Sequence, residues 1–177
     1  EIGVIKSLDE TLPATSGRVA GTSIFDDHIP SYAAQHKTNR ISILDGFKIS
    51  SNYVFATLAV QNYGIDKSKG RGKGLEKTER FLQNIYNYKL GEAFAFDLDG
   101  LQVPEIPNPE SPMWSPTDLG SVAMGYAVKE TPLHILTFYN AVANKGKMMK
   151  PYLVESIEKN GVVKTRKGPS VLNASIC

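Results

Sequence analysis

The chain has 177 residues, with 20 lysines and arginines against 18 aspartates and glutamates, for a net charge of +2. That length can bury a core without help from a disulfide or metal, and that charge balance supplies no general field to attract nucleic acid or an anionic membrane. The single cysteine, Cys177, excludes an internal disulfide and a thiolate metal cluster. No apolar run approaches membrane-spanning length, and the first ten residues lack the apolar core of a secretory signal, so the protein is either cytosolic or has lost a targeting segment.

Residues 1–39 alternate short apolar groups with turn formers and keep no helical period. They read as an irregular lead-in with one or two short strands around residues 18–25. Ser42 then stands three places before Asp45, an N-cap pattern that predicts a short helix interrupted near Ser50. From Asn52, the residues Val54, Phe55, Leu58, Ala59, Asn62 and Tyr63 predict a second helix ended by Gly64. The triplet Ser50-Ser51-Asn52 therefore falls at a helix amino terminus, where unpaired N–H groups and the positive dipole end lie. Residues 66–77 carry Lys67, Lys69, Arg71, Lys73 and Lys77 among three glycines and predict an exposed, mobile loop.

A further helix is expected from about Leu75 to Lys89, with Leu75, Phe81, Leu82, Ile85 and Tyr86 facing inward and Gly91 as terminator. The Pro- and Gly-rich stretch that follows reads as a long surface crossing, and a short helix over residues 118–124 leads to the best-marked element of the chain. There Thr131 is a good N-cap and Pro132 a good first residue. Apolar residues from Leu133 to Ala143 cover well over half of the helical circumference, which predicts a mostly buried helix closed by Asn144, Lys145 and Gly146. Beyond it, Asn160-Gly161 between apolar runs predicts a β-hairpin.

His28, His36 and His134 are not paired at ligand spacing, so no metal site is expected. The Gly/Lys loop is not a phosphate loop, because Glu76 stands before Lys77-Thr78 and no strand leads in. Nor does it interleave aromatic residues for stacking on bases, so nucleic acid is not expected as a partner. Taken alone, Ser50 and Asn52 are ordinary helix caps.

Their company is more informative. The triplet and its apolar helix are followed in order by Asp97-Leu98-Asp99-Gly100, Glu105-Ile106-Pro107, Gly125-Tyr126, Thr131-Pro132-Leu133, Ala143-Asn144-Lys145-Gly146 and Pro151. This ordered set resembles the transpeptidase domain of the penicillin-binding proteins, over roughly residues 42–157. The resemblance implies an α+β fold, an antiparallel sheet flanked by helices with an all-helical subdomain, of which this chain is a predominantly helical part. It further implies a single incomplete domain over 1–177, with an irregular lead-in over 1–40, a helical part over 41–151, and a hairpin and tail over 152–177.

The family carries a Ser-x-x-Lys with the nucleophile, a Ser-x-Asn triplet and a Lys-Thr-Gly. Only the triplet matches here. Ser156-Ile157-Glu158-Lys159 has the letters of the first motif but lies after the triplet and within the predicted hairpin. Lys164-Thr165-Arg166 lacks the glycine of the third. By the family's order, the nucleophile would precede Glu1 and the Lys-Thr-Gly would follow Cys177, so the resemblance implies a piece of a longer protein.

It also implies the role of the triplet: Ser50 relays protons in a serine acyl transfer on peptidoglycan stem peptides, and Asn52 both takes part in catalysis and binds a substrate amide. No cofactor or metal is implied. The expected partners are stem peptides, β-lactams and, through the longer protein, other wall-synthesis or division proteins. The expected location is extracytoplasmic, with the longer protein anchored to the membrane. Departures include His134, where the family often has Gln, and Ala127, where a second Gly commonly follows the Gly-aromatic pair. Two other readings use the same motifs: a β-lactam sensor or serine β-lactamase relative, and a non-catalytic scaffold that keeps the helices as an assembly surface.

Overall fold

The computed structural model describes residues 5–65, 74–93, 95–97, 99–173 and 176. Most of the expected Gly/Lys loop, residues 66–73, lies outside the described residues. Among them stand six helices and three two-stranded antiparallel sheets, an α+β content as expected. The elements are β1 (Thr11–Pro13), α1 (His28–His36), β2 (Arg40–Ser42), α2 (Ile43–Lys48), α3 (Asn52–Tyr63), α4 (Glu76–Asn87), α5 (Pro116–Ala123), α6 (Pro132–Ala143), β3 (Met148–Met149), β4 (Ser156–Lys159), β5 (Val162–Arg166) and β6 (Val171–Asn173). They fall into two compact units, Glu1–Phe81 with Pro107–Val128 and Leu82–Ile106 with Lys129–Cys177.

In the first unit the segment read as an irregular lead-in holds, among its described residues, a strand and a helix that the sequence did not announce, β1 and α1. β1 pairs with β2 so that Leu12 lies opposite Ile41, and Arg18 bridges Phe25. Ala14, Val19, Ile24 and Ile29 form one core cluster with Ile41, Tyr53, Val54 and Ala56. Helix α1 escaped the sequence reading because only Ile29 in it is fully buried, with Tyr32 and Ala33 partly so. Its proline, Pro30, falls in the first turn, where no intrahelical donor is needed. The strand signal over residues 18–25 is realised as the single bridge.

Ser42 caps α2 as expected, its Oγ accepting from Asp45 N at 3.0 Å. Helix α3 is buried on most of its first two turns, through Tyr53, Val54, Ala56, Thr57 and Ala59. It packs on α5, and the approach is close: a Cβ at Gly120 would meet Ile24 Cδ1 at 2.5 Å and Ala56 Cβ at 3.2 Å. In α4 the most deeply buried side chain is Thr78, whose Oγ1 donates to Tyr63 O at 2.6 Å. The helix stops at Lys89 in the left-handed region (φ 60°), two residues before the expected Gly91. The amides of Lys89 and Leu90 return to Tyr86 O and Ile85 O in the paired pattern of a Schellman motif.

In the second unit Thr131 caps α6, its Oγ1 accepting from His134 N at 3.3 Å. The expectation of a mostly buried α6 is corrected. His134, Thr137 and Ala141 are buried, while Ile135, Leu136, Tyr139 and Val142 are 42, 59, 66 and 49 % exposed. Apolar periodicity reports how wide a face could be covered, and within this unit only the narrower face meets other residues. The core here is Ala141, Met148 and Ile176, with Tyr88, Phe138 and Leu172 against it. β3 pairs with β6.

The hairpin forms at the expected place, β4 against β5, with Asn160 and Gly161 at φ 55° and 74° as a two-residue type I′ turn demands. Its base is fastened by Asp97. That carboxylate accepts from Leu153 N at 2.7 Å and Val154 N at 2.9 Å and pairs with Lys167 Nζ. The chance Ser-x-x-Lys letters at residues 156–159 form the exposed strand β4.

Candidate active site

The triplet lies at the junction between α2 and α3, with three residues, 49–51, between the helices. Ser51 N donates to Gly46 O at 2.8 Å and Ser50 N to Phe47 O at 3.1 Å. These two bonds make a Schellman ending for α2, with Ser50 as its left-handed residue at φ 53°. The next residue already opens α3, because Ser51 is its N-cap and accepts from Val54 N at 3.3 Å. A chain that ends one helix and starts another with three residues between them, all held by these bonds or caps, has little freedom left at the corner.

The three side chains have different fates. Ser51 is 2 % exposed, and its hydroxyl donates to Asp26 Oδ2 at 2.7 Å while accepting from Val54 N. It is fully used in holding the corner. Ser50 is exposed and Asn52 half-buried in the first turn of α3. No hydrogen bond joins the Ser50 hydroxyl or the Asn52 amide to any other described residue. Both expected site residues therefore sit on one rigid corner with their polar groups available.

Left-handed backbone alone does not mark Ser50, since Lys37, Lys89 and Lys145 share it near helix carboxyl ends. A cation there complements the negative dipole end and the last carbonyls. Serine does neither, and glycine would adopt the conformation more cheaply.

Asp26 is the residue the sequence reading did not single out. It falls in the stretch read as an irregular lead-in, and nothing local signals its burial. It is 3 % exposed, and one oxygen, Oδ2, accepts from both Ser51 Oγ and Tyr53 N, the latter at 3.1 Å. The other, Oδ1, accepts from His28 N at 3.1 Å. The carboxylate thus lies between the first turns of α1 and α3, where backbone N–H groups are unpaired. Burial by itself would raise its pKa, but the hydrogen bonds from Ser51, Tyr53 and His28 outweigh it and hold the group below the ordinary carboxylate value. Asp26, Asp27 and His28 stand close together, but the two oxygens of Asp26 are already used.

His134, a departure from the family pattern, is 2 % exposed. Its Nε2 lies 3.0 Å from Glu92 O and so must donate, leaving Nδ1 to accept from Thr131 Oγ1 at 2.7 Å. It ties the start of α6 to residue 92 within its own unit.

With this geometry established, comparisons with known proteins are informative. The family model described as penicillin binding protein transpeptidase domain matches residues 4–175. No curated protein matches. Among solved structures, penicillin-binding protein 2B from Streptococcus pneumoniae strain R6 is similar at 21% identity and a TM-score of 0.66, covering 95% of this chain and 28% of its own. Penicillin-binding protein A from M. tuberculosis, solved as a ceftriaxone acyl-enzyme complex, is similar at 19% identity and a TM-score of 0.64, covering 95% of this chain and 34% of its own. The D,D-transpeptidase domain of a peptidoglycan glycosyltransferase from Eggerthella lenta is similar at 21% identity and a TM-score of 0.66, covering 98% of this chain and 40% of its own. At these identities the likeness is one of fold, and the chain spans well under half the length of these structures.

Proposed function

The chain belongs to the penicillin-binding protein transpeptidase domain family, and from that premise we propose that it is part of a peptidoglycan D,D-transpeptidase in which Ser50 and Asn52 line the reaction site. A serine on a longer protein attacks the D-Ala-D-Ala amide of a stem peptide, expels the terminal D-alanine and forms an acyl-enzyme ester. An amine of a neighbouring stem then displaces the serine and completes the cross-link. Ser50 passes the proton between the nucleophile's lysine partner and the leaving or attacking amine, and Asn52 donates to a substrate amide. The reaction lies outside the cytoplasm, and β-lactams enter it as substrate mimics.

One observation carries this reading: the Ser50 hydroxyl and the Asn52 amide are left unpaired on either side of a buried, fully bonded Ser51, on a corner with three residues between two helices. Groups that must hold a proton path or a substrate amide in register need such a mount. The exposed apolar face of α6 supports the second half of the proposal, since further structure of a longer protein would cover it. Among the described residues no helix is long and apolar enough to cross a membrane, so anchoring is assigned to the longer protein as well.

The test uses labelled penicillin on this chain and on the natural gene product with its flanking residues, read by intact mass. This chain should stay unlabelled, and the longer product should take one adduct. Ser50→Ala or Asn52→Ala should slow its acylation by roughly a hundredfold or more, as for other proton-transfer and orienting groups. A stoichiometric adduct on this chain, or a longer product that never labels, overturns the proposal. Slow release of the acyl group supports a transpeptidase, and rapid release supports a β-lactamase relative.

A further inference from the structure

We infer that Asp26 is a positioning residue for the Ser50-Ser51-Asn52 corner, acting through Ser51 and the first turn of α3 to orient the two polar groups that flank it. The inference rests on the proposed function for its catalytic consequence, while its geometric part stands on the hydrogen bonds alone.

The corner is held from the α2 side by two backbone bonds, Ser50 N to Phe47 O and Ser51 N to Gly46 O. Those fix the backbone up to Ser51 but leave the direction of the α3 amino terminus to something else. Asp26 Oδ2 supplies it by accepting at once from the Ser51 hydroxyl and from Tyr53 N, so a single oxygen spans Asn52 from both sides. The Asn52 backbone cannot swing without breaking one of these bonds.

Asp26 is itself anchored. Its N–H donates to Gly17 O at 3.0 Å, and its Oδ1 takes the His28 amide. Gly17 is at φ 64°, and a Cβ there would stand 2.1 Å from Asp26 O. The segment 17–28, which carried no functional expectation from the sequence, therefore delivers a fixed acceptor to the corner from 25 residues away. An isolated buried carboxylate would be costly. This one has donors on both oxygens: His28 of α1 on the anchored side, and Ser51 and Tyr53 of the corner it positions.

The consequence differs from simple stabilisation. Losing Asp26 should leave a folded unit whose α3 amino terminus is loosened, so that Ser50 and Asn52 spend less time in register. The first measurement uses this chain: amide hydrogen exchange in wild type, Asp26→Asn and Ser51→Ala. The amides of Tyr53 and Val54 should exchange about tenfold faster or more in both variants, while those of Ala59 and Val60, farther along α3, change little. A uniform rise along α3, or no change at Tyr53, overturns the inference.

The second measurement uses the longer gene product and labelled penicillin, separating the dissociation constant of the initial complex from the acylation rate constant. The rate constant should fall by about tenfold or more with the initial affinity held, and the Asp26→Asn, Ser51→Ala double variant should be no slower than the slower single one, because the two act as one unit. Additive losses, or a lower labelled fraction reacting at the wild-type rate, would mean a structural role only and overturn the inference. Failure of the wild-type product to label strikes the proposed function instead, and the exchange result still decides whether Asp26 holds the corner.

Discussion

Gly46 and Val54 approach so closely that no side chain fits between them. A Cβ on Gly46 would lie 2.5 Å from Val54 Cγ2 and 2.8 Å from both Val54 Cβ and Cγ1. Val54 is 1 % exposed and β-branched, so neither partner can move aside. This contact lets α2 and α3 pack as neighbours with only three residues between them, and Gly46 O also receives the Ser51 amide. Gly46→Ala should therefore destabilise the chain by up to about 2 kcal/mol, an overpacking cost of about 1–3 kcal/mol less the roughly 1 kcal/mol gained in helix propensity. Urea denaturation checks it, and an unchanged midpoint would show that the helices are not held at that distance.

Ser50→Gly separates stability from function. Glycine adopts the left-handed conformation without the Cβ penalty that serine bears at φ 53°. Part of that gain is returned as backbone entropy, so the variant should be as stable as wild type or more stable by about 0.5–1 kcal/mol. In the longer gene product the same change should nearly abolish acylation. A variant that loses stability on the order of 1 kcal/mol or more would mean that the Ser50 side chain has a structural partner after all.

Asp97 predicts acid sensitivity confined to the base of the hairpin. Its hydrogen bond from Lys167 and those from the amides of Val154 and Leu153 lower its pKa from 3.8 to about 2. A folded pKa below the unfolded one means stability that is present above the unfolded value and lost as pH falls through the folded one. The ladder between β4 and β5 should therefore loosen between about pH 4 and pH 2. Carbon-detected titration of Asp97 and amide shifts of Leu153 and Val154 report it. Asp97→Asn should remove the pH dependence in that window.

Glu130 predicts the opposite slope. Burial raises its pKa from 4.5 to about 7, and its Oε2 has no hydrogen-bond partner among the described residues. The folded state then holds a proton that the unfolded state has released, so stability should fall as pH rises from about 4.5 to about 7. Glu130→Gln should flatten that slope in denaturation curves taken at pH 5 and pH 8, and a slope that persists would assign it to another group.

Local chemistry was legible along the chain. Ser42 and Thr131 were recognisable as caps, Asn160-Gly161 as a hairpin turn, and the triplet as the start of α3, because each depends on residues within four positions of itself. The order of marks after the triplet carried the family in the same way, as a linear pattern. Helix α1 was missed because its apolar face is only a few residues wide, and the exposure of α6 was misjudged because periodicity states what a helix could bury and not what it meets.

From the sequence alone came the positions of the caps and turns, governed by backbone preferences that act over one or two helical turns, and, through the resemblance carried by the ordered marks, the α+β content and the candidacy of Ser50 and Asn52. Tertiary structure alone decided that Ser51 is spent on holding the corner, that Asp26 reaches it from another segment, and that Gly46 must lack a side chain. The physical reason is the same in each case: burial and hydrogen-bond partnership are properties of pairs, and the partners here come together only when the chain has folded.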